Sequence, residues 1–206
     1  MSTTATKSNP GWKDGFLFLG NQLALDFLNT RPVQNGEPVE LLPDVAALLR
    51  WFQAAGLLSA RGVTNLQQRW GESGRARRTL EAFLALRENL RKDVLAWERG
   101  VPIRRSTIDE LNRLLAEHPM RTRLKTARNV LSKEQWFAPQ HPEDLFAPLA
   151  DGAATLFAEV SRNRVRKCGQ CVLHFYDTSK KGTRRWCSMQ LCGNRSKVAA
   201  YAARRR

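Results

Sequence analysis

Two cysteine pairs carry the most specific chemistry in this chain. Cys168 and Cys171 have two residues between them, Cys187 and Cys192 have four, and fifteen residues separate the pairs. Short spacing lets both sulfurs of a pair face one point, and two such pairs supply the four thiolates of a tetrahedral structural zinc site. Every cysteine of the 206-residue chain lies in this stretch. Two disulfides are the competing use of four cysteines, and they belong to oxidising compartments. Met1 to Pro10 is rich in Ser and Thr without the apolar core of a signal peptide, and no apolar run approaches the ~18 residues of a membrane span. The expectation is a cytoplasmic protein, not membrane-inserted, holding one structural zinc ion that contributes directly to folding of its small module. His174 lies between the pairs as a rival ligand, but four cysteines already close the shell.

The formal net charge of +15 is unevenly spread. Residues 161–206 contain thirteen Lys and Arg against the single acid Asp177, which places +12 on the cysteine module and leaves +3 on the preceding 160 residues. Such asymmetry argues for a polyanionic partner, DNA first and RNA as the alternative, and for association with the nucleoid. Arg184, Arg185, Lys197, Arg204, Arg205 and Arg206 are the candidate phosphate contacts. Arg195 follows the last cysteine pair closely and has two uses: reaching a phosphate or guanine edge, or bracing the finger through backbone carbonyls. Trp186 can stack on a base or pack over the metal, and packing is the expected use beside a ligand. His118, His141 and His174 are scattered, and no phosphate loop, nucleophile elbow or paired-histidine motif is present, so no catalytic residue is assigned and an enzyme is not expected. A third use of the same charge is a zinc-stabilised adaptor that meets an acidic protein.

These groups need a scaffold, and hydrophobic periodicity supplies one. Residues 1–14 read as a disordered leader, and Phe16 to Leu19 as a short buried strand broken by Gly20-Asn21. Leu23 to Thr30 fits a helix with Asn21 as its N-cap, and Pro43 to Ala55 is a clearer helix with Val45, Leu48, Leu49 and Phe52 as its stripe. Val63 to Trp70 is a weak helix. Arg75 to Arg99 is a long one with Leu80, Phe83, Leu84, Leu86, Leu90, Val94 and Leu95 inward. Ser106 with Asp109, and Thr107 with Glu110, resemble capping boxes that open a helix ending at His118-Pro119. Two short segments flank Ala127-Arg128-Asn129 as a β-hairpin, and Pro142 opens the helix that delivers the chain to the cysteines. In the module itself, Val172 to Tyr176 and Arg184 to Trp186 read as two strands joined across a turn at Gly182, followed by a helix from Ser196. The fold class is therefore a mainly α N-terminal domain with a small β-hairpin, over residues 15–160, followed by a small treble-clef-like four-cysteine zinc finger of α+β type over 161–206. Asp26, Asn29 and Thr30 form the one notable polar group of the helical part. They serve either an effector pocket or local backbone bonding.

Arg185-Trp186-Cys187-Ser188-Met189, then Cys192-Gly193-Asn194-Arg195 and a basic tail, resemble the CGNR zinc finger, and Phe175-Tyr176-Asp177-Thr178-Ser179 matches the segment inside that finger. Leu23-Ala24-Leu25-Asp26-Phe27-Leu28-Asn29-Thr30 resembles the opening motif of the mainly helical ABATE domain that accompanies it. The resemblance covers the chain from about Phe16 onward and matches all four metal positions. It implies a bacterial transcription regulator whose zinc finger binds DNA, and the helical domain is then expected to provide dimerisation, effector sensing or both.

Overall fold

A computed structural model describes residues 11–203 apart from residues 35, 72 and 128. Arg204, Arg205, Arg206 and the first ten residues of the expected leader lie outside the described residues. The remainder of that leader is structured: β1 (Trp12–Lys13) pairs antiparallel with β2 (Phe16–Leu17). Alternation along β2 sends Phe16 into the helical core and Leu17 into the core of the finger, so two residues of strand touch both halves of the molecule.

The helical part follows its stripes closely. After β2 comes α1 (Leu23–Leu28), then a loop with a two-residue pairing of β3 (Val33–Gln34) and β4 (Glu37–Pro38). Next are α2 (Val45–Ala54), α3 (Ala60–Trp70) and α4 (Gly74–Glu98). Helix α2 starts at Val45 because Asp44, not Pro43, sets the boundary: its carboxylate accepts from the Ala47 amide at 2.7 Å. Ser73 caps α4 in the same way. Leu80, Phe83, Leu86, Leu90 and Val94 are buried as their spacing predicts, while Leu84 and Leu95 are only partly covered. Phe83 stacks on Phe146 with ring centroids 4.1 Å apart and meets Phe27 edge-on at 5.9 Å.

Helix α5 (Arg105–Glu117) does not use the expected capping boxes. Its start is held from another helix: the buried Asp93 carboxylate on α4 accepts from the Arg104 guanidinium at 2.8 and 2.9 Å, and from the Thr107 hydroxyl. The β-hairpin is present as β5 (Arg121–Ala127) and β6 (Val130–Trp136) in full register, from Arg121 opposite Trp136 to Ala127 opposite Val130. A 3-10 turn at Pro142–Leu145 then leads into α6 (Phe146–Ala158).

Helix α1 sits at the centre, packed against α4 and α6 on one side and the finger on the other. Asn21 does not cap it. Its backbone is left-handed, φ 57°, and its side chain donates instead to the Tyr176 carbonyl at 2.9 Å. None of the described helices is long and apolar enough to cross a membrane.

Candidate metal centre and basic face

The finger begins with β7 (Val165–Lys167), which pairs antiparallel with β8 (His174–Tyr176) around the first cysteine pair. This corrects the expected strand pairing. Arg184 to Trp186 forms no strand with Val172 to Tyr176, because its backbone is bonded elsewhere: the Arg184 amide donates to Asp177 at 2.7 Å, and the Arg185 carbonyl accepts from Gly169 at 3.0 Å. The strand that completes the hairpin precedes the cysteines. After Cys187, the Ser188 carbonyl accepts from both Cys192 and Gly193 at 3.0 Å, closing a π-helical turn (Met189–Gly193) that continues into α7 (Asn194–Ala203).

These turns bring the four sulfurs together. The Sγ atoms of Cys168, Cys171, Cys187 and Cys192 all lie within 4.8 Å of one another, with 3.7 Å between Cys171 and Cys187 and 3.6 Å between Cys187 and Cys192. Zn–S bonds of ~2.3 Å in a tetrahedron require sulfurs ~3.8 Å apart, so the spacing fits one zinc ion and exceeds a ~2.05 Å disulfide bond. Crowding lets one thiol ionise at its neighbours' expense. Bonds from Cys171 and Cys187 hold the Cys168 thiol far below its ordinary range, while that thiolate pushes Cys171 up to about 12 and Cys187 further still. Four thiolates at this distance need a divalent cation among them.

Two glycines shape the wall. A Cβ on Gly169 would stand 3.2 Å from the Trp186 ring, and one on Gly193 would stand 3.2 Å from its other side and 2.6 Å from the Met189 sulfur. Trp186 therefore lies between the two knuckles in close contact with both glycines, the packing use expected of it.

The basic residues divide into two sets. Arg184 is turned inward: its Nε donates to the Trp186 carbonyl at 2.7 Å, another guanidinium nitrogen donates to the Cys187 carbonyl, and the group lies 4.7 Å over the Phe175 ring. Arg195 donates to the Leu191 carbonyl and the Cys192 sulfur, both at 3.2 Å, the bracing arrangement of its two readings. Arg185, stacked 5.3 Å from the Trp186 ring, is exposed, as are Lys180, Lys181 and Lys197. Asp177, the only acid of residues 161–206, is fully buried. Burial alone would raise its carboxyl, but bonds from Ser179 and Arg184 hold it below the ordinary range, so it stays charged inside. The outward face of the finger thus carries cations undiluted by acids.

Asp26, Asn29 and Thr30 come together at the junction, all buried and with their polar atoms committed to the protein. The Asn29 amide accepts from the His174 N–H at 2.8 Å and donates to the His174 carbonyl at 2.9 Å, acting as a strand neighbour to β8. Asp26 accepts from the Gly20 amide at 2.7 Å, while the Gly20 carbonyl accepts from Tyr176 at 2.7 Å. A Cβ on Gly20 would lie 2.8 Å from the Asp26 nitrogen, so only glycine passes between α1 and β8. Thr30 donates to Phe27 and accepts from Arg87, which also grips Glu40. All three thus take part in local and junction bonding.

Sequence reasoning missed Arg87, Asp177 and the inward turn of Arg184. Arg87 is 1 % exposed on a helix dense in arginine, and nothing in its spacing separates it from solvated neighbours.

Residues 21–160 match the family model of ABATE, described as "Putative stress-induced transcription regulator", and residues 164–205 match the CGNR zinc finger. A search of the curated proteins found no match. With the first model spanning more than half of the chain and the second falling on the four-cysteine cluster, the chain belongs to the ABATE family and carries a CGNR zinc finger that binds one zinc ion.

Proposed function

We propose that the protein is a zinc-dependent DNA-binding transcription regulator in which the finger grips the duplex backbone and the helical domain governs how the finger is presented. The observation that carries this reading is the sorting of charge: +12 on residues 161–206, with the one acid buried and Lys180, Lys181, Arg185 and Lys197 facing water. Such a surface binds phosphates by releasing counterions and needs no pocket. Arg184 and Arg195 take a different part from that of phosphate contacts. They fix the turns that aim the exposed set, which Arg204, Arg205 and Arg206 extend along the sequence. Zinc, when bound, holds the two knuckles at fixed spacing and so fixes that set in space.

Regulation by the helical domain has a route. Asn29 and Gly20 tie α1 directly to β8, so an effector or a second copy that moves α1 moves the finger with it. Competitive titration of the full zinc-loaded chain against duplex DNA, structured RNA and single strands at physiological salt tests the DNA reading. Duplex DNA is expected to be preferred. Equal or tighter binding to RNA makes this an RNA- or ribosome-binding protein instead.

A further inference from the structure

The β5–β6 hairpin stands apart from both the helical core and the finger. Every described residue of β5 is exposed, and on β6 only Glu134 and Trp136 are even half-covered. Leu124, Val130 and Leu131 are 68 %, 66 % and 63 % exposed. A two-stranded ribbon is marginal in water by itself, and apolar side chains on both of its strands are a liability unless something covers them.

Charge identifies the occupant. Residues 121–136 carry Arg121, Arg123, Lys125, Arg128 and Lys133 against Glu134, a net +4, which leaves the rest of the first 160 residues at −1. The excess charge outside the finger is thus concentrated on this arm. The register gives it two faces. One holds Arg121 and Arg123, 5.5 and 5.3 Å from the Trp136 ring, with Glu134 within 3.4 Å of Arg123 and 3.6 Å of Lys125. The other presents Thr122, Leu124, Thr126, Leu131, Lys133 and Gln135, the methyl, hydroxyl, amide and ammonium groups that meet base edges in a DNA groove. Seven residues per strand make a ribbon ~23 Å long and ~10 Å wide, a cross-section that the ~12 Å major groove admits. A second copy is a poor occupant. One such face covers only ~230 Å² where a stable pair buries ~800 Å² per partner, and two arms of the same sign repel.

The arm is also spaced from the finger. Arg75 in the first turn of α4 pairs with Glu143, just past the arm's base, at 2.8 Å, and Glu98 at the end of α4 accepts from the Lys167 amide in β7 at 3.0 Å. The twenty-three residue steps of helix from Arg75 to Glu98 span ~35 Å, close to one turn of B-DNA.

We propose that the β5–β6 hairpin is a second DNA-binding element, a two-stranded ribbon that enters a groove of the duplex about one turn from the backbone held by the finger. This rests on the duplex reading above. The test is fluorescence anisotropy of the full zinc-loaded chain on a mixed-sequence duplex across a salt series, with zinc content and far-UV circular dichroism confirming that each variant is folded. The double variant Leu124→Ser/Leu131→Ser is expected to weaken binding roughly 5- to 20-fold, as for the loss of one or two base-edge contacts, with an unchanged salt slope. Lys125→Gln/Lys133→Gln is expected to lower the slope by up to ~1.8. If both variants keep the affinity and slope of a wild-type protein that does bind duplex, the arm proposal fails and the finger reading stands. A serine variant that sediments as a smaller species with unchanged affinity per chain makes the arm a self-association surface and also overturns the proposal. A wild-type chain with no duplex affinity overturns both readings together.

Discussion

Asp26 is buried beside Gly20, and burial pushes its carboxyl up to about 6 from the ordinary 3.8, against the opposing bond from the Gly20 amide. A raised carboxyl means that the unfolded chain ionises first as pH rises. Stability therefore falls from about pH 4 to 6, and the full cost is present above about 6. Asp26→Asn keeps an oxygen for the Gly20 amide and removes the charge. It is expected to raise stability by about 1–3 kcal/mol at pH 8 and to change little at pH 4, measured by urea unfolding. A loss of stability at pH 8 would show that the charge is used. His174 works in the opposite direction. Burial, with Arg91 and Lys167 nearby, lowers it to about 4 from 6.5, so its contribution is lost as pH falls from about 6.5 through 4. The two groups flank the same junction and partly cancel in the wild-type pH profile, which Asp26→Asn should unmask as a steeper fall in stability toward acid. The residue scale was legible where chemistry is fixed by spacing: the four cysteines could be assigned from their positions alone. It was illegible where a side chain had a choice. Arg184 and Arg185 are adjacent and identical in type, yet one braces the Cys187 turn and the other faces water, a difference set by the Asp177 carboxylate that holds the Arg184 backbone.

Elements show the same division. Helices α2 and α4 were readable because their apolar residues recur every three or four positions over three turns or more, and the observed boundaries differ from the expected ones by one or two residues. The β7–β8 pairing was not readable, since Val165-Arg166-Lys167 has no strand alternation beyond one apolar residue and its partner lies across the metal turn. Helix α5 shows how tertiary structure replaces a local signal. Ser106 and Asp109 match a capping box, yet Asp93 on α4 does the holding through Arg104 and Thr107. Ser106→Ala should then change stability by less than about 0.5 kcal/mol. Asp93→Ala should cost about 1–3 kcal/mol, because it leaves the buried Thr107 hydroxyl and the α5 start without their partner while Arg104 turns to water. Thermal unfolding of the two variants checks the order, and equal losses would restore the local cap.

At the scale of the molecule the finger is built into the helical domain, because Leu17 of β2 packs with Leu173, Phe175 and the cysteines while Phe16 packs in the helical core. The two-part plan was visible in the sequence as a break in charge near residue 160. The seam was not visible, since it consists of backbone bonds at Gly20, Asn21 and Asn29 to β8. Removing zinc should therefore melt the finger and free β1 and β2 as well. Hydrogen exchange after chelation is expected to lose protection at 12–18 and 165–195 and to keep it in α2 and α4. Uniform protection would mean that the metal is not structural.

The binding of duplex DNA as a function of salt, with zinc and after chelation, tests the proposed role most directly. The zinc-loaded chain is expected to lose affinity by ~0.9 log unit per contacted phosphate for each tenfold rise in salt, with roughly four phosphates held by Lys180, Lys181, Arg185 and Lys197 beside those of the arm, and chelated protein should lose the finger's share of both affinity and slope. A flat salt dependence, or the same curve with and without zinc, would contradict a zinc-aimed basic face.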